Sequence, residues 1–194
     1  MQVEISRENI FNLAVDAIVN PANSKLQEGG GLCGAIFQKV RKLGGPDAHR
    51  QLTDACRNIG RCPTGEAVIT PSFGLEVPHI IHAVGPRWSG RNPLPVGTKL
   101  SAGEAADFKA LEAAYCSILH LCEDHGLKSV AIPGISTGIY GFPKELAAAV
   151  AVAVCRSHDV DLKVHLVAAS DDYYDFLTAA PTVTAVQWVA STGE

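Results

Sequence analysis

Charge is scarce in this chain. Asp, Glu, Lys and Arg make up 19% of its 194 residues, the net charge is −4, and no Lys/Arg-rich run stands out. General binding to nucleic acid or to an anionic membrane therefore has no electrostatic basis. Long apolar runs are lacking too: residues 146–155 form the longest, far short of the roughly 20 that cross a bilayer. The six cysteines (Cys33, Cys56, Cys62, Cys116, Cys122 and Cys155) include no Cys-x-x-Cys pair. The opening MQVEIS reads as a strand, without the basic-then-apolar pattern of a secretory leader. Reduced thiols and a cytoplasmic setting are the expectation. Cys116, His120, Cys122 and His125 crowd one helix, but core thiols with surface histidines account for them, and neither metal nor cofactor is expected.

What the chain does have is glycine, concentrated in two loops. Gly29-Gly30-Gly31-Leu32-Cys33-Gly34 opens a helix, and Gly134-Ile135-Ser136-Thr137-Gly138-Ile139-Tyr140-Gly141 follows a strand and leads to another helix. Glycine lets backbone approach a ligand and aim its N–H groups inward. A helix start adds unpaired donors and a positive dipole end, which suits an anion. Two such loops across one cleft would hold a diphosphate from both sides.

The rest of the chain alternates. Residues 3–5 and 16–20 read as strands, the second short and with an apolar centre, as buried strands tend to have. A helix over 35–43 is ended by Gly44-Gly45, and Pro46 opens the next, to about 59. Strands at 66–70 and 79–84 precede a long Pro- and Gly-bearing connection over 85–102, of the kind that is usually functional or mobile. Helical spacing covers 105–125, then a strand at 129–133, a buried helix at 143–157, a strand at 163–168 and a closing helix at 171–177. Alternation on this scale implies a three-layer α/β/α sandwich, a single domain over 1–180 with a tail, 181–194, of uncertain structure. In such sheets ligands sit at the carboxyl ends of the strands, where both glycine loops fall.

Four segments together carry a resemblance: residues 16–23 (DAIVNPAN), 29–36 (GGGLCGAI), 80–86 (IIHAVGP) and 132–143 (IPGISTGIYGFP). In this order over roughly residues 1–178 they resemble the macrodomain family, in particular its ADP-ribosyl-hydrolase branch. The resemblance implies a central mixed sheet, no cofactor, and ADP-ribose or an ADP-ribosylated protein as partner of a monomer. It implies that Asn23 bonds the terminal ribose and that Gly30, Gly31 and Leu32 line one side of the diphosphate. Ser136, Thr137, Gly138 and Ile139 would supply donors on the other side, and Tyr140 would pack on the terminal ribose. Asn9 would accept from the adenine amino group, and Ile10, Asn20, Ala22, Gly34 and Gly134 complete the implied ligand-binding set.

Three residues depart from the family's pattern. Cys33 stands where the hydrolase branch usually carries an Asp that positions water, and a neutral thiol is a poor replacement for a carboxylate. Asn9 stands where many relatives have Asp, and Ala168-Ala169 where an aromatic often stacks on adenine. With Asn23, Cys33 and Tyr140 as the catalytic set, the resemblance implies release of ADP-ribose from modified acidic side chains by a substrate-assisted water. A non-catalytic ADP-ribose reader, or a hydrolase of O-acetyl-ADP-ribose or ADP-ribose 1''-phosphate, are the alternatives. His82, in an apolar strand, reads as a satisfied core histidine, and Trp88 as either ligand cover or packing.

Overall fold

The computed structural model describes residues 1–90 and 100–180. Its strands are β1 (Gln2–Ser6), β2 (Ala17–Pro21), β3 (Ala67–Pro71), β4 (His79–Ala83), β5 (Ser129–Pro133) and β6 (Lys163–Val167). The helices are α1 (Gly31–Ile59), α2 (Ala102–Asp124), α3 (Lys144–Ser157) and α4 (Asp171–Ala179), with one 3-10 turn at Ile10–Asn12. One sheet runs in the order β1-β6-β5-β2-β4-β3. All pairings are parallel except β3 with β4, so the sheet is mixed.

Side chains alternate across the sheet, and each face has its own core. Ile18 and Ile80 point to the α1 side, where they meet Ile36, Phe37, Val40 and Leu52. Val19 and Ile81 point to the other side, under Phe108, Leu111 and Tyr115 of α2 and Val150 and Ala151 of α3. Both layers leave the central strands buried on two faces, which is why they are mostly apolar, with Asn20 in β2 and Ser129 in β5 as exceptions. The three-layer sandwich is the architecture observed.

Local chemistry sets the element boundaries. Gly45 has φ 79° and ψ −178°, so α1 is two arms joined at a break rather than one straight helix. Ser101 and Glu104 form a capping box at the start of α2, which begins the helix at 102 rather than 105. The Asp16 carboxylate accepts from Lys128 N (2.7 Å) and Ser129 N (2.9 Å), tying the start of β2 to the start of β5. The tail and residues 91–99 of the long connection lie outside the described residues. All six cysteines are free thiols, and among the described residues no helix is long and apolar enough to cross a membrane.

A polar chain crosses the sheet below the strand ends. His82, fully buried, has Nδ1 3.0 Å from Asn20 Nδ2 and Nε2 3.0 Å from Thr70 Oγ1. With the Asn20 amide donating to Nδ1, the ring is neutral and its Nε2–H donates to Thr70. Burial lowers the His82 pKa to about 4. The unfolded chain therefore binds the extra proton between the ordinary histidine value of about 6.5 and about 4, so stability falls as pH drops through that window. We expect a loss of about 3 kcal/mol between those limits from this residue. His82→Gln should flatten the stability–pH curve there in urea unfolding, and an unchanged slope would contradict the assignment.

Candidate functional site

The two glycine loops leave adjacent parallel strands. β2 pairs with β5 through Ala17 with Val130 and Ile18 with Ala131. From this pair the chain crosses over in opposite directions, from β2 towards β4 and from β5 towards β6, which leaves a crevice between them.

Asn23 winds the first loop. Its Oδ1 accepts from Lys25 N (3.1 Å) and Gln27 N (3.3 Å), and its Nδ2 donates to Gln27 O (2.7 Å). Gly30 then caps α1 with no side-chain hydrogen bond, and Gly31 takes φ +61°. The first-turn N–H groups of α1 are thus left open at the cleft. The second loop is braced from within: Gly141 N donates to Gly138 O (2.9 Å) and Phe142 N to Ser136 O (3.0 Å). Among the described residues no acceptor meets the N–H groups of Gly138, Ile139 and Tyr140. Ser136 is buried at φ +64°, a left-handed conformation uncommon for serine, and its Oγ has no partner. The loops touch where a Cβ on Gly30 would stand 3.0 Å from Ile139 Cδ1, while Gly138 has open space beside it.

Between them lies a cleft of about 530 Å³, walled by the segments that follow β2, β4, β5 and β6. No Asp, Glu or His lines it among the described residues. Two cations stand on its walls. Lys144 is engaged by Asp172 (2.7 Å) and Ser170 Oγ (3.2 Å), and that Lys144 hydrogen bond lowers the Asp172 pKa to about 2. Arg87 is exposed, with its guanidinium carbon 4.5 Å from the Tyr140 ring centroid.

Of the residues singled out from sequence, the cleft brings together Ala22, Asn23, Gly30, Gly31, Leu32, Cys33, Gly134, Ser136, Thr137, Gly138, Ile139 and Tyr140. Four others are placed elsewhere. Asn9 caps the 3-10 turn by accepting from Phe11 N at 3.0 Å, and Ile10 is buried in the core beside α1. Asn20 is buried against His82. Gly34 sits behind the first loop, packed on the Gly29 carbonyl. Cys33 reaches the wall but is nearly buried, with Sγ 3.8 Å from Gln27 O. Burial pushes its thiol pKa up, against hydrogen bonds from the Gly29 backbone and Asn20 that lower it. It is therefore a neutral thiol at pH 7.

Ala169, which the resemblance put beside adenine, is on the wall, and sequence reasoning missed Gly85, Arg87, Lys144, Ser170 and Tyr173. Gly85 and Ser170 follow β4 and β6, so the rule that ligands sit at strand carboxyl ends could have found them. Arg87 and Lys144 are single cations with no motif around them. Tyr173 supplies an aromatic ring from α4, but its carbons lie close under Gly134. Trp88 is packing: its ring lies 4.8 Å from Phe142 and 6.0 Å from Phe108. The histidines of the crowded helix diverge, His120 towards His158 and His125 towards His79.

Comparison with known proteins places this geometry. A family model described as Macro domain matches residues 19–151. A Macro domain-containing protein of Ralstonia nicotianae is 44% identical over 156 residues, 80% of each chain. A protein of Enterobacter cloacae subsp. cloacae named O-acetyl-ADP-ribose deacetylase is 41% identical over 155 residues, 78% of this chain and 75% of that one. Among solved structures, the Oceanobacillus iheyensis macrodomain with ADP superposes with a TM-score of 0.75 at 30% identity, over 97% of this chain and 92% of that one. The Trypanosoma brucei macrodomain in complex with ADP-ribose does so with a TM-score of 0.71 at 28% identity, over 91% and 67%.

The packing behind the first loop is testable. A methyl group at position 34 would land on the Gly29 carbonyl oxygen, which is backbone and cannot swing aside. Gly34→Ala should cost about 1–3 kcal/mol in urea unfolding. An unchanged midpoint and slope would contradict the close approach.

Proposed function

The chain belongs to the Macro domain family, and from that premise we propose that it binds ADP-ribose between its two loops and cleaves it from modified acidic side chains of proteins. The observation that carries this reading is the cleft wall itself. It offers open backbone N–H groups from both loops and, among the described residues, no carboxylate to repel a diphosphate. Oriented amides of this kind hold phosphate oxygens at little cost, because they are already desolvated and fixed.

The same wall constrains the chemistry. With no Asp, Glu or His among the described residues lining the cleft and Cys33 held as a neutral thiol, the described wall supplies no ordinary base. We therefore assign the water-orienting role to the ligand's own diphosphate, clasped against the first loop. Water attacks C1 of the terminal ribose, and the bond from C1 to the side-chain carboxylate oxygen breaks with its electron pair. A carboxylate of pKa about 4.3 leaves as an anion, so no general acid is needed. The water proton passes through the phosphate oxygen to solvent. Asn23, fixed by its loop, and Tyr140 hold the sugar in attack geometry, and positioning alone supplies several kcal/mol.

A second reading, binding without turnover, is favoured by one observation: the same neutral, buried Cys33. Incubation with a glutamate-linked ADP-ribosylated protein decides between them. Release of free ADP-ribose above the uncatalysed rate is expected, and binding without release would leave only the reader. O-acetyl-ADP-ribose in the same assay tests the small-molecule ester as substrate.

Two variants probe the site. Cys33→Ala should keep kcat/KM within about threefold, because a neutral thiol gives up no base; a loss of about a hundredfold would contradict the substrate-assisted route. Gly138→Glu puts bulk and negative charge into the open space beside the loop and should weaken ADP-ribose binding at least about a hundredfold by calorimetry. Unchanged affinity would refute the second loop as a diphosphate wall.

A further inference from the structure

Arg87 is mounted rather than merely exposed. Its neighbour Trp88 donates its backbone N–H to Tyr140 O at 2.9 Å, and the Trp88 ring packs on Phe108 and Phe142. Next along the chain Ser89 bonds the Asp107 carboxylate through its N–H (2.8 Å) and hydroxyl (2.7 Å). The two residues that follow Arg87 are thereby fixed. Its guanidinium lies over the Tyr140 ring, 4.5 Å from the centroid. Stacking uses the face of a guanidinium and leaves its edge, with the N–H donors, free to bind.

Arg87 stands at the cleft wall without an ion-pair partner among the described residues. Arg7, Arg50 and Arg57 pair with Asp171, Asp47 and Asp54 respectively. The cleft's other cation, Lys144, is engaged by Asp172. Among the described residues no carboxylate pairs with Arg87, although the chain carries a net charge of −4. Along the second loop Gly134 lies over Tyr173, Ile139 meets Gly30, and Tyr140 lies against Arg87. In the function proposed above, Tyr140 meets the sugar that carries the protein, so Arg87 stands next to that sugar.

We propose that Arg87 is a specificity-determining subsite, reading a second carboxylate on the peptide attached to the ADP-ribose, so that the protein prefers modified sites flanked by Asp or Glu. This rests on the ADP-ribose reading of the cleft above. The bidentate fit of guanidinium to carboxylate gives the recognition, and the stacked ring limits the rotamer freedom lost on binding.

The test uses the full chain and hydrolysis-resistant, amide-linked ADP-ribosyl peptides, one with acidic and one with alanine flanks, measured by calorimetry beside free ADP-ribose. The wild type should bind the acidic-flank peptide about threefold to fivefold tighter, a preference that fades in high salt. Arg87→Ala should lose the preference, and Arg87→Glu should reverse it, each read as the ratio of the two peptide affinities measured on the same variant. Equal binding of both peptides by the wild type, or a preference surviving in Arg87→Ala, would overturn the proposal while leaving the ADP-ribose site intact. So would a loss confined to ADP-ribose 1''-phosphate, which would assign the cation to a small-molecule anion. If the wild type failed to bind free ADP-ribose, the reading of the cleft itself would fall.

Discussion

The structure depends on one pairing, that of β2 with β5. Two loops about a hundred residues apart in sequence become neighbours because the strands that deliver them are hydrogen-bonded side by side. Asp16 fixes that pair at its base by accepting from the backbone N–H groups of Lys128 and Ser129. At the opposite end of the strands the loops come close enough that Gly30 and Ile139 touch. A cleft between rigid strands is preorganised: its donors are aimed before any ligand arrives, and little ordering cost remains to oppose binding.

That arrangement decides what chemistry the protein can do. Cys33 stands at the cleft as a buried neutral thiol, and no described wall residue is acidic. A site that holds an anion with neutral donors and lacks a base can still accelerate hydrolysis if the bound anion orients the water. The two cations on the wall are already engaged, Lys144 by Asp172 and Arg87 by the Tyr140 ring. In the reading we propose, binding of the diphosphate and discrimination at the sugar fall to different residues.

Much of this was legible in sequence, and the parts that were not have physical reasons. The apolar runs of β2 and β5, the break at Gly44-Gly45 and the two glycine loops are local signals, and each appears where expected. The antiparallel edge formed by β3 is a tertiary choice that no local pattern encodes. Asn20 entered the ligand-binding set only through the family resemblance, and the structure places its side chain against His82. Gly34 belongs to the glycine run, yet its glycine is needed for packing on Gly29. Arg87 carried no signal at all, since its role depends on Tyr140, which lies 53 residues further on (140 − 87).

Titration of isotope-labelled protein with ADP-ribose, followed by amide chemical shifts, tests the central claim most directly. The account predicts saturable shifts concentrated at the backbone amides of Gly30, Gly31, Leu32, Gly138, Ile139 and Tyr140. No saturable change, or changes confined to residues away from both loops, would contradict it.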